Sequence, residues 1–398
     1  MRGRVSVHEI KSDNTTGELR MKTLSWSEVC RRRLVRQSLI EPAPTADLVE
    51  VVSAVCGIQA QVITAAELTI GARVAGVTQQ DVRDEIWERR NLIKTYGPRG
   101  TLHLLPANEL PLWMAAMRAR DALAETPWYV SSGLDQGQAE ALLTGIGKAL
   151  DGRCLTREEL AAEVARHAGP WAKERLASTW GELLAPAAYT GRLCFGPSQG
   201  SKVTFVRADQ WAGTWKDVDP DQALTEVFRR YLHAYGPATH QDFARWFWLK
   251  PAVARRVLED IADELEEVNV EGHRAWVLAG DADATRQKEA GSLRLLPQYD
   301  CYVLGAVPRD RLVPEEARKR IASYGRGRFE GAVGLPVLLV DGVVAGMWER
   351  RARSKRIELK VETFIQLTPS QSEQLKAEAQ QVGTFLGAEV SLALGSLS

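Results

Sequence analysis

Several features of secreted, metal-binding and membrane proteins are scarce or missing in this 398-residue chain. Its cysteines form no Cys-x-x-Cys pair, and its six histidines form no His-Glu-x-x-His motif. The five cysteines are Cys30, Cys56, Cys154, Cys194 and Cys301. Disulfide frameworks and zinc sites depend on regular spacing, so we expect reduced thiols, a cytoplasmic protein and no bound metal or other cofactor. A membrane-spanning helix needs about 18 consecutive apolar residues, and no such run is present, so no membrane partner is expected.

The chain also lacks net charge, because 51 Lys and Arg residues balance 51 Asp and Glu residues. This balance counts against a nucleic-acid partner only mildly, since phosphate binding depends on where basic residues cluster. Here the charges are unevenly distributed: residues 350–356 read RRARSKR, whereas residues 259–267 read EDIADELEE. The composition is therefore compatible with binding to DNA.

Four helix starts carry the same local signal. A Ser or Thr is followed three residues later by Glu or Asp, which is the spacing of a capping box. The pairs are Ser25 with Glu28, Thr78 with Asp81, Thr156 with Glu159, and Thr239 with Asp242. Each pair opens an amphipathic stretch, so we predict four helices that begin at these positions.

A two-stranded ribbon is predicted after each group of helices. Residues 92–105, 192–206 and 266–278 each contain two apolar stretches around a glycine-containing turn. Helices followed by a hairpin are typical of a winged helix, and the pattern occurs three times, at about 24–105, 153–207 and 221–280. The alternative is that these segments are parts of one larger α+β domain. Winged helices also mediate protein contacts.

The C-terminal part has a different pattern. The stretches LRLLPQYDCYVLGAV, LPVLLVDGVVAGMWERR and RIELKVETFIQL are predicted strands, and Asp341-Gly342 indicates a tight hairpin. A helix is predicted at about 369–386. The fold prediction is thus α+β: a flexible tail over 1–23, a first winged helix with connecting helices over 24–150, a second over 151–210, a third over 211–285 and a β-rich domain over 286–398.

The motif Gly57-Ile58-Gln59-Ala60-Gln61 follows an apolar helix that Gly57 is placed to end. In this position, Gln-Ala-Gln resembles the Gln–apolar–Gln motif of the AlkZ branch of the AlkZ/YcaQ-type winged-helix DNA glycosylases. The related YcaQ branch has Asp where this chain has Gln61. Three further segments resemble the family: residues 99–103 (RGTLH), 236–247 (GPATHQDFARWF) and 295–313 (LLPQYDCYVLGAVPRDRLV).

The resemblance implies three tandem winged helices in a C-shaped, concave arrangement, followed by a β-rich part. It also implies hydrolysis of the N-glycosidic bond of alkylated purines in double-stranded DNA, without metal or cofactor. Members of the AlkZ branch are associated with self-resistance to DNA-alkylating natural products and with unhooking of interstrand crosslinks. Without a zipper-like heptad, we expect a monomer.

Two glutamines restrict the chemistry, because an amide does not titrate and only donates and accepts hydrogen bonds. A purine alkylated at N7 or N3 is already cationic and leaves as a neutral base without an acid. We therefore predict that Gln59 and Gln61 hold one water below the anomeric carbon. The alternative is that both residues simply cap a helix end.

Supporting roles are predicted for other residues. Thr101 and His103 are candidates to support the water or the sugar, although a buried histidine is also a common core residue. The turn over 196–202 and the basic stretch are candidate DNA contacts, with plain turn and solvated edge as the alternatives. These contacts are Ser198, Gln199, Ser201, Lys202, Arg350, Arg351, Arg353, Lys355 and Arg356.

Three residues have no assigned catalytic role. Asp300 is interpreted as stabilising the C-terminal domain or assisting the site. Most of the 12 tryptophans, including Trp246 and Trp248, are expected in the core.

A monofunctional glycosylase is the main functional hypothesis, because no lysine lies near the glutamines to form a Schiff base with the sugar; the nearest downstream is Lys94. The alternative is a winged-helix DNA-binding regulator or drug-sequestering protein without catalysis. A glycosylase would respond to the lesion, whereas a regulator would respond to the surrounding sequence.

Overall fold

The structure is a computed structural model that describes residues 21–178, 181–213, 216–281, 291–324, 334–353 and 356–397. Helices and strands alternate in groups, and the mixed composition confirms the α+β class. The helices are α1 (Trp26–Arg36), α2 (Leu48–Ala54), α3 (Ile63–Gly71), α4 (Gln79–Trp87), α5 (Leu110–Ala122), α6 (Trp128–Ser131), α7 (Gln136–Ala149), α8 (Arg157–Ala168), α9 (Trp171–Ser178), α10 (Ala185–Tyr189), α11 (Ala208–Trp211), α12 (Pro220–Tyr235), α13 (His240–Phe247), α14 (Pro251–Glu259), α15 (Cys301–Gly305), α16 (Arg309–Leu312), α17 (Glu315–Ser323) and α18 (Pro369–Leu386).

The strands are short outside the C-terminal part. They are β1 (Lys22–Leu24), β2 (Ile58–Gln59), β3 (Leu92–Tyr96), β4 (Leu102–Pro106), β5 (Leu155–Thr156), β6 (Cys194–Gln199), β7 (Lys202–Val206), β8 (Leu265–Val270), β9 (His273–Leu278), β10 (Leu293–Leu296), β11 (Val337–Val340), β12 (Val343–Arg353), β13 (Arg356–Thr363) and β14 (Glu389–Leu394).

All four predicted capping boxes are present and begin α1, α4, α8 and α13. In each, the hydroxyl of the Ser or Thr accepts from the backbone N–H three residues on, and the acid accepts from the backbone N–H of the cap. Each box satisfies two of the backbone groups that a helix end leaves without partners. The helix starts could be predicted from the sequence because a capping box depends on two residues that are three positions apart.

Three small antiparallel hairpins form where they were predicted, as β3–β4, β6–β7 and β8–β9. Each hairpin gains a third strand from elsewhere in the chain, which the sequence did not reveal. The resulting orders are β2-β4-β3, β5-β7-β6 and β1-β8-β9. In the first of these sheets, the added strand is β2, which carries Gln59.

The third sheet is completed by the beginning of the described chain. Strand β1 pairs in parallel with β8, with Lys22 opposite Val268 and Leu24 opposite Val270. The prediction of a flexible tail over 1–23 is therefore wrong at its C-terminal end, while residues 1–20 lie outside the described ranges. Helix α1, which follows β1, is held to the end of α12, where the buried Arg33 donates to the carbonyl oxygens of Tyr235 and Pro237.

The C-terminal sheet has the order β10-β11-β12-β13-β14 and packs against α18, whose bounds match the predicted helix. Asp341 and Gly342 form the tight turn between β11 and β12, with φ of 50° and 80°, as the sequence predicted. The strand prediction fails after Leu296, since residues 301–305 form helix α15. Asp300 caps that helix by accepting from the Tyr302 N–H at 2.8 Å.

A buried ion pair connects the first helices to the C-terminal part. Arg73, just after α3, donates from Nη1 and Nη2 to the two carboxylate oxygens of Asp300 at 2.8 and 2.7 Å. Both side chains are fully buried. Burial by itself lowers the pKa of Arg73, but the adjacent Asp300 charge outweighs it and the net pKa is raised. Asp300 was expected either to stabilise the C-terminal domain or to assist the site. Its buried ion pair with Arg73 fits the stabilising role.

Candidate active site

The candidate site begins where α2 ends and the chain turns into β2. Cys56 and Gly57 adopt left-handed backbone with φ of 63° and 83°. A Cβ on Gly57 would lie 2.5 Å from Cδ2 of Leu105, so glycine is required for both the turn and the close approach. This turn brings Gln59 into register with β4.

The strand register decides which side chains share a face. Gln59 pairs with His103, which in turn pairs with Thr95, so these three lie on one face of the sheet. Lys94 pairs with Leu104, one position along, and therefore lies on the opposite face. Its ammonium nitrogen is 5.3 Å from the centre of the Phe195 ring.

Arg99 orients the amide of Gln59. Its Nη2 donates to Gln59 Oε1 at 3.1 Å, and its Nη1 donates to the backbone oxygen of Trp246 at 2.9 Å. Because a guanidinium has no acceptor, Gln59 must present its oxygen to Arg99. Arg99 has φ of 60°, an unfavourable backbone conformation for a residue with a side chain, and such strain is concentrated at functional sites.

The two glutamines differ in exposure. Gln59 is 8% exposed, whereas Gln61 is exposed, and Gln61 Oε1 accepts a long hydrogen bond of 3.5 Å from the Leu102 N–H. The sequence predicted that Gln59 and Gln61 hold one water between their side-chain oxygens. In the structure each of these oxygens already accepts one hydrogen bond, which leaves one lone pair on each, and Gln61 is the more exposed of the two.

His103 is a neutral side chain in this environment. It is 3% exposed, and burial followed by the charge of Arg99 lowers its pKa to about 3, although the Thr101 carbonyl opposes this. Nδ1 lies 3.0 Å from the Thr101 oxygen, which only accepts, so Nδ1 carries the proton. A Cβ on Gly97 would lie 2.9 Å from the imidazole Cγ, so glycine there lets the ring pack against the backbone. Thr101 itself donates to the Pro98 oxygen at 3.1 Å.

Titration of His103 predicts a pH dependence of stability. The folded pKa of about 3 lies below the ordinary value of 6.5, so the unfolded chain binds this proton more strongly. The stabilisation is fully present above pH 6.5 and is lost as the pH falls through 6.5 towards 3, by at most about 1.4 kcal/mol per pH unit. We expect urea unfolding to give a lower free energy of unfolding at pH 5.5 than at pH 7.5. In the His103→Gln variant, the contribution of His103 to that difference should be absent. An NMR titration of His103 with a midpoint near 6.5 would contradict the assignment.

The chemistry available at this site is limited. Among the described residues, the side chains of Gln59, Gln61 and His103 hydrogen-bond to a guanidinium, a backbone N–H and a backbone carbonyl, respectively. Neither an amide nor a guanidinium exchanges protons near neutrality, and His103 stays neutral. These groups can position a water, but they cannot protonate a leaving group.

The predicted DNA contacts lie on two other sheets. Ser198, Gln199, Ser201 and Lys202 form the exposed tip of β6–β7, where Lys202 lies 3.8 Å from Glu158. This hairpin adjoins the site sheet, since the Tyr96 and Phe195 rings are 5.7 Å apart.

The basic stretch forms the β12–β13 hairpin of the C-terminal sheet, where Arg350, Arg351 and Arg356 are exposed. Arg353 is in β12, and Lys355 lies outside the described residues. The structure thus brings Gln59, Gln61, Thr101 and His103 together and keeps the two predicted contact groups on separate sheets.

Sequence reasoning missed two residues near the site. Arg99 was noted only as part of a motif, although the neighbouring Gly100 indicated a tight turn. Trp248 was expected in the core with Trp246; Trp246 is buried, but Trp248 is 70% exposed with φ of 64°. That left-handed residue ends α13 and turns the indole outward.

The described ranges contain neither a candidate membrane span nor a candidate metal site. No helix there combines the length and the apolar character needed to span a bilayer. No group of three or more His, Cys, Asp or Glu side chains there is arranged to hold a metal ion.

Comparisons with known proteins agree with one another. The family described as "DNA glycosylase AlkZ-like" matches residues 52–385. An "Interstrand DNA cross-link repair glycosylase" of Streptomyces sahachiroi is 37% identical over 333 residues, which cover 82% of this chain and 88% of the relative. The solved structure of Streptomyces sahachiroi DNA glycosylase AlkZ matches with a TM-score of 0.81 and 33% identity, covering 94% of this chain and 100% of the other.

Proposed function

This chain belongs to the AlkZ-like DNA glycosylases, and from that premise we propose that it hydrolyses the N-glycosidic bond of cationic alkylated purines in double-stranded DNA. As a DNA glycosylase it is an enzyme, so the alternative of a regulator without catalysis is set aside. The substrates proposed are N7-alkylguanine and N3-alkyladenine. Unhooking of interstrand crosslinks is proposed by analogy with the relative from Streptomyces sahachiroi. Self-resistance to a DNA-alkylating natural product is proposed from the resemblance to the AlkZ branch.

The observation that carries the proposal is the pair of amides beside a histidine that stays neutral. Hydrolysis of an ordinary glycosidic bond needs an acid for the leaving group. With Gln59, Gln61 and a His103 pKa of about 3, the described site supplies none near neutral pH. The leaving base must therefore be activated beforehand, and alkylation at N7 or N3 provides that positive charge.

In the proposed mechanism, Gln61 and Gln59 accept hydrogen bonds from one water and direct its oxygen to the anomeric carbon. Arg99 fixes the orientation of the Gln59 amide. The Nδ1–H of His103 donates to the Thr101 carbonyl and so supports β4, the strand with which Gln59 pairs. As the bond to the cationic base breaks, the base keeps the electron pair and leaves neutral. Water then bonds to the sugar and releases its proton to solvent, leaving an abasic site.

The reaction is proposed to be monofunctional. A bifunctional glycosylase would need an amine to attack the sugar. Lys94 is the nearest downstream lysine in the chain, and it lies on the sheet face opposite Gln59 and His103. The product expected is therefore an intact strand with an abasic site.

The three-stranded sheets support the proposed arrangement of three tandem winged helices, with boundaries near 24–150, 151–210 and 211–285, followed by a C-terminal domain over 286–398. The exposed hairpins β6–β7 and β12–β13 are proposed DNA contacts of a C-shaped surface. We further propose that the protein acts as a cytoplasmic, nucleoid-associated monomer without a cofactor.

One assay tests the proposal directly. Purified protein is incubated with a duplex that contains one N7-methylguanine, with a duplex that carries a bulky N7 crosslink, and with undamaged DNA. We expect release of the alkylated base and alkali-labile strand breaks in the damaged duplexes, with EDTA present. Without alkali the strands should stay intact. Release of undamaged guanine at a comparable rate would contradict selection by leaving-group charge.

A further inference from the structure

Arg99 carries a positive charge that no described carboxylate balances. Its two hydrogen-bonded nitrogens donate to neutral groups, the Trp246 carbonyl at 2.9 Å and the Gln59 amide oxygen at 3.1 Å. Burial lowers the pKa of its guanidinium, and among the described residues the opposing effect comes from Tyr235 and not from an acid. The Tyr235 hydroxyl is itself uncharged near neutral pH, because burial raises its pKa well above the ordinary value.

Several other buried arginines of the described chain are paired with acids. Buried charges are generally paired, because removing an ion from water costs far more free energy than burying a neutral group. Each of these arginines donates to an aspartate at ordinary ion-pair distance. The pairs are Arg32 with Asp281, Arg73 with Asp300, and Arg120 with Asp121.

Arg33 is held in a second way, by carbonyl oxygens. Its Nε, Nη1 and Nη2 each donate to a backbone carbonyl, so every nitrogen of this guanidinium has a partner. Arg99 differs, because its Nε–H has no hydrogen-bond partner among the described residues, yet this nitrogen is not one of their fully buried unpartnered atoms. Arg99 is also only partly covered. Its Nε–H therefore opens to solvent and can donate to a further acceptor.

The position of Arg99 indicates which anion it meets. In the proposed mechanism, Gln59 and Gln61 direct a water to the anomeric carbon of the damaged nucleotide. Because Arg99 contacts the Gln59 amide, the nearest anions of the DNA are the two phosphate groups attached to that same sugar. A guanidinium binds phosphate through charge-assisted hydrogen bonds, and phosphate contacts fix the register of a protein on the duplex.

We propose that the Nε–H of Arg99 binds a phosphate group of the damaged nucleotide while Nη2 holds the Gln59 amide, so that one guanidinium positions both the DNA backbone and the water-binding group. The inference rests on the proposed function and deepens it. The phosphate also balances a charge that would otherwise oppose the cationic base and the positive charge developing on the sugar. A displaced backbone would move the anomeric carbon away from the water, and such misplacement slows a reaction.

The test measures binding of duplexes that contain 2′-fluoro-N7-methylguanine, which resists cleavage. Their backbone is either normal or carries one methylphosphonate linkage, which removes a single phosphate charge, directly 5′ or 3′ to the lesion. We expect wild-type binding to weaken about 10-fold at one of the two linkages. Arg99→Met should bind that duplex and the normal duplex within about 2-fold of each other, because its partner for the phosphate is gone. Equal sensitivity of both proteins, or no sensitivity of the wild type at either linkage, would overturn the contact.

Salt dependence provides a second readout, which a purely structural role of Arg99 would not change. Loss of one phosphate contact reduces the slope of log Kobs against log salt concentration by about 0.9, and we expect this reduction in Arg99→Met. Lys376→Met removes an exposed charge from α18 and should keep the wild-type slope. An unchanged slope in Arg99→Met would contradict the inference.

Arg99→Lys covers the case in which Arg99→Met does not fold. Lysine keeps the charge but lacks the planar fork, so it should keep the sensitivity to the methylphosphonate and lose about 100-fold in single-turnover excision, as expected when the Gln59 amide is no longer held. Native excision in Arg99→Lys would refute the double role.

Failure of this inference is distinguishable from failure of the proposed function. A wild-type protein that excises N7-methylguanine, without coupling between Arg99 and either linkage, would refute the contact and leave the glycosylase proposal standing. Coupling in a protein that excises nothing would refute the proposed function and leave the contact standing.

Discussion

Gln61→Ala is expected to slow the release of N7-methylguanine about 100-fold, the size of effect that follows from misplacing a reacting group. Gln61 is exposed, and its hydrogen bond with the Leu102 N–H is long, at 3.5 Å. Removing its amide should therefore leave the fold and the affinity for DNA within about 2-fold of the wild type. Single-turnover excision and fluorescence anisotropy measure the two quantities separately.

Gln61→Asp provides the matched control, because a carboxylate still accepts hydrogen bonds from water. It should keep excision within about 10-fold of the wild type, as expected if acceptor geometry is what matters. Gln59→Ala is a less clean test, since it also leaves Nη2 of Arg99 without its acceptor, which costs about 1–3 kcal/mol. Native excision rates in the Gln59→Ala, Gln61→Ala double variant would refute the site assignment.

Arg73→Met is expected to lower the free energy of unfolding by about 3–5 kcal/mol, because it leaves the Asp300 carboxylate buried without its partner. The loss of stability should affect the whole fold, because this ion pair joins the segment after α3 to the start of α15. Urea unfolding followed by circular dichroism measures the loss.

A second substitution separates the charge from the packing. Asp300→Asn keeps a side-chain oxygen that can accept from the Tyr302 N–H, but it removes the charge. The Arg73→Met, Asp300→Asn double variant should therefore be more stable than Arg73→Met alone. A loss below about 1 kcal/mol for Arg73→Met would mean that water or a rearrangement satisfies Asp300.

Local signals made much of the fold predictable. The capping boxes, the three hairpins and the Asp341-Gly342 turn each depend on residues within a few positions of one another. The residues that pair over long distances were not predictable in this way. Arg73 and Asp300 are 227 positions apart, and the strand that completes each small sheet has only two or three residues.

The candidate site was predicted in its residues but not in its geometry. The motif resemblance supplied Gln59 and Gln61, yet the unequal exposure of the two amides depends on the β2–β4 register. Trp248 was misassigned because it was grouped with its near neighbour Trp246 at the end of a predicted helix. The left-handed backbone of Trp248 ends α13 and leaves its side chain exposed. The apolar run after Leu296 was misread as strand because periodicity alone does not separate a buried strand from a short buried helix.

Pairing of β1 with β8 has a consequence for synthesis of the protein on the ribosome. The strand at position 22 emerges first, but its partner at position 268 is made only after the sequence between them. At a translation rate of about 5–20 residues per second, the wait is roughly 12–50 seconds. During that interval β1 has no strand to pair with, so the sheet β1-β8-β9 assembles only after β8 and β9 have been made.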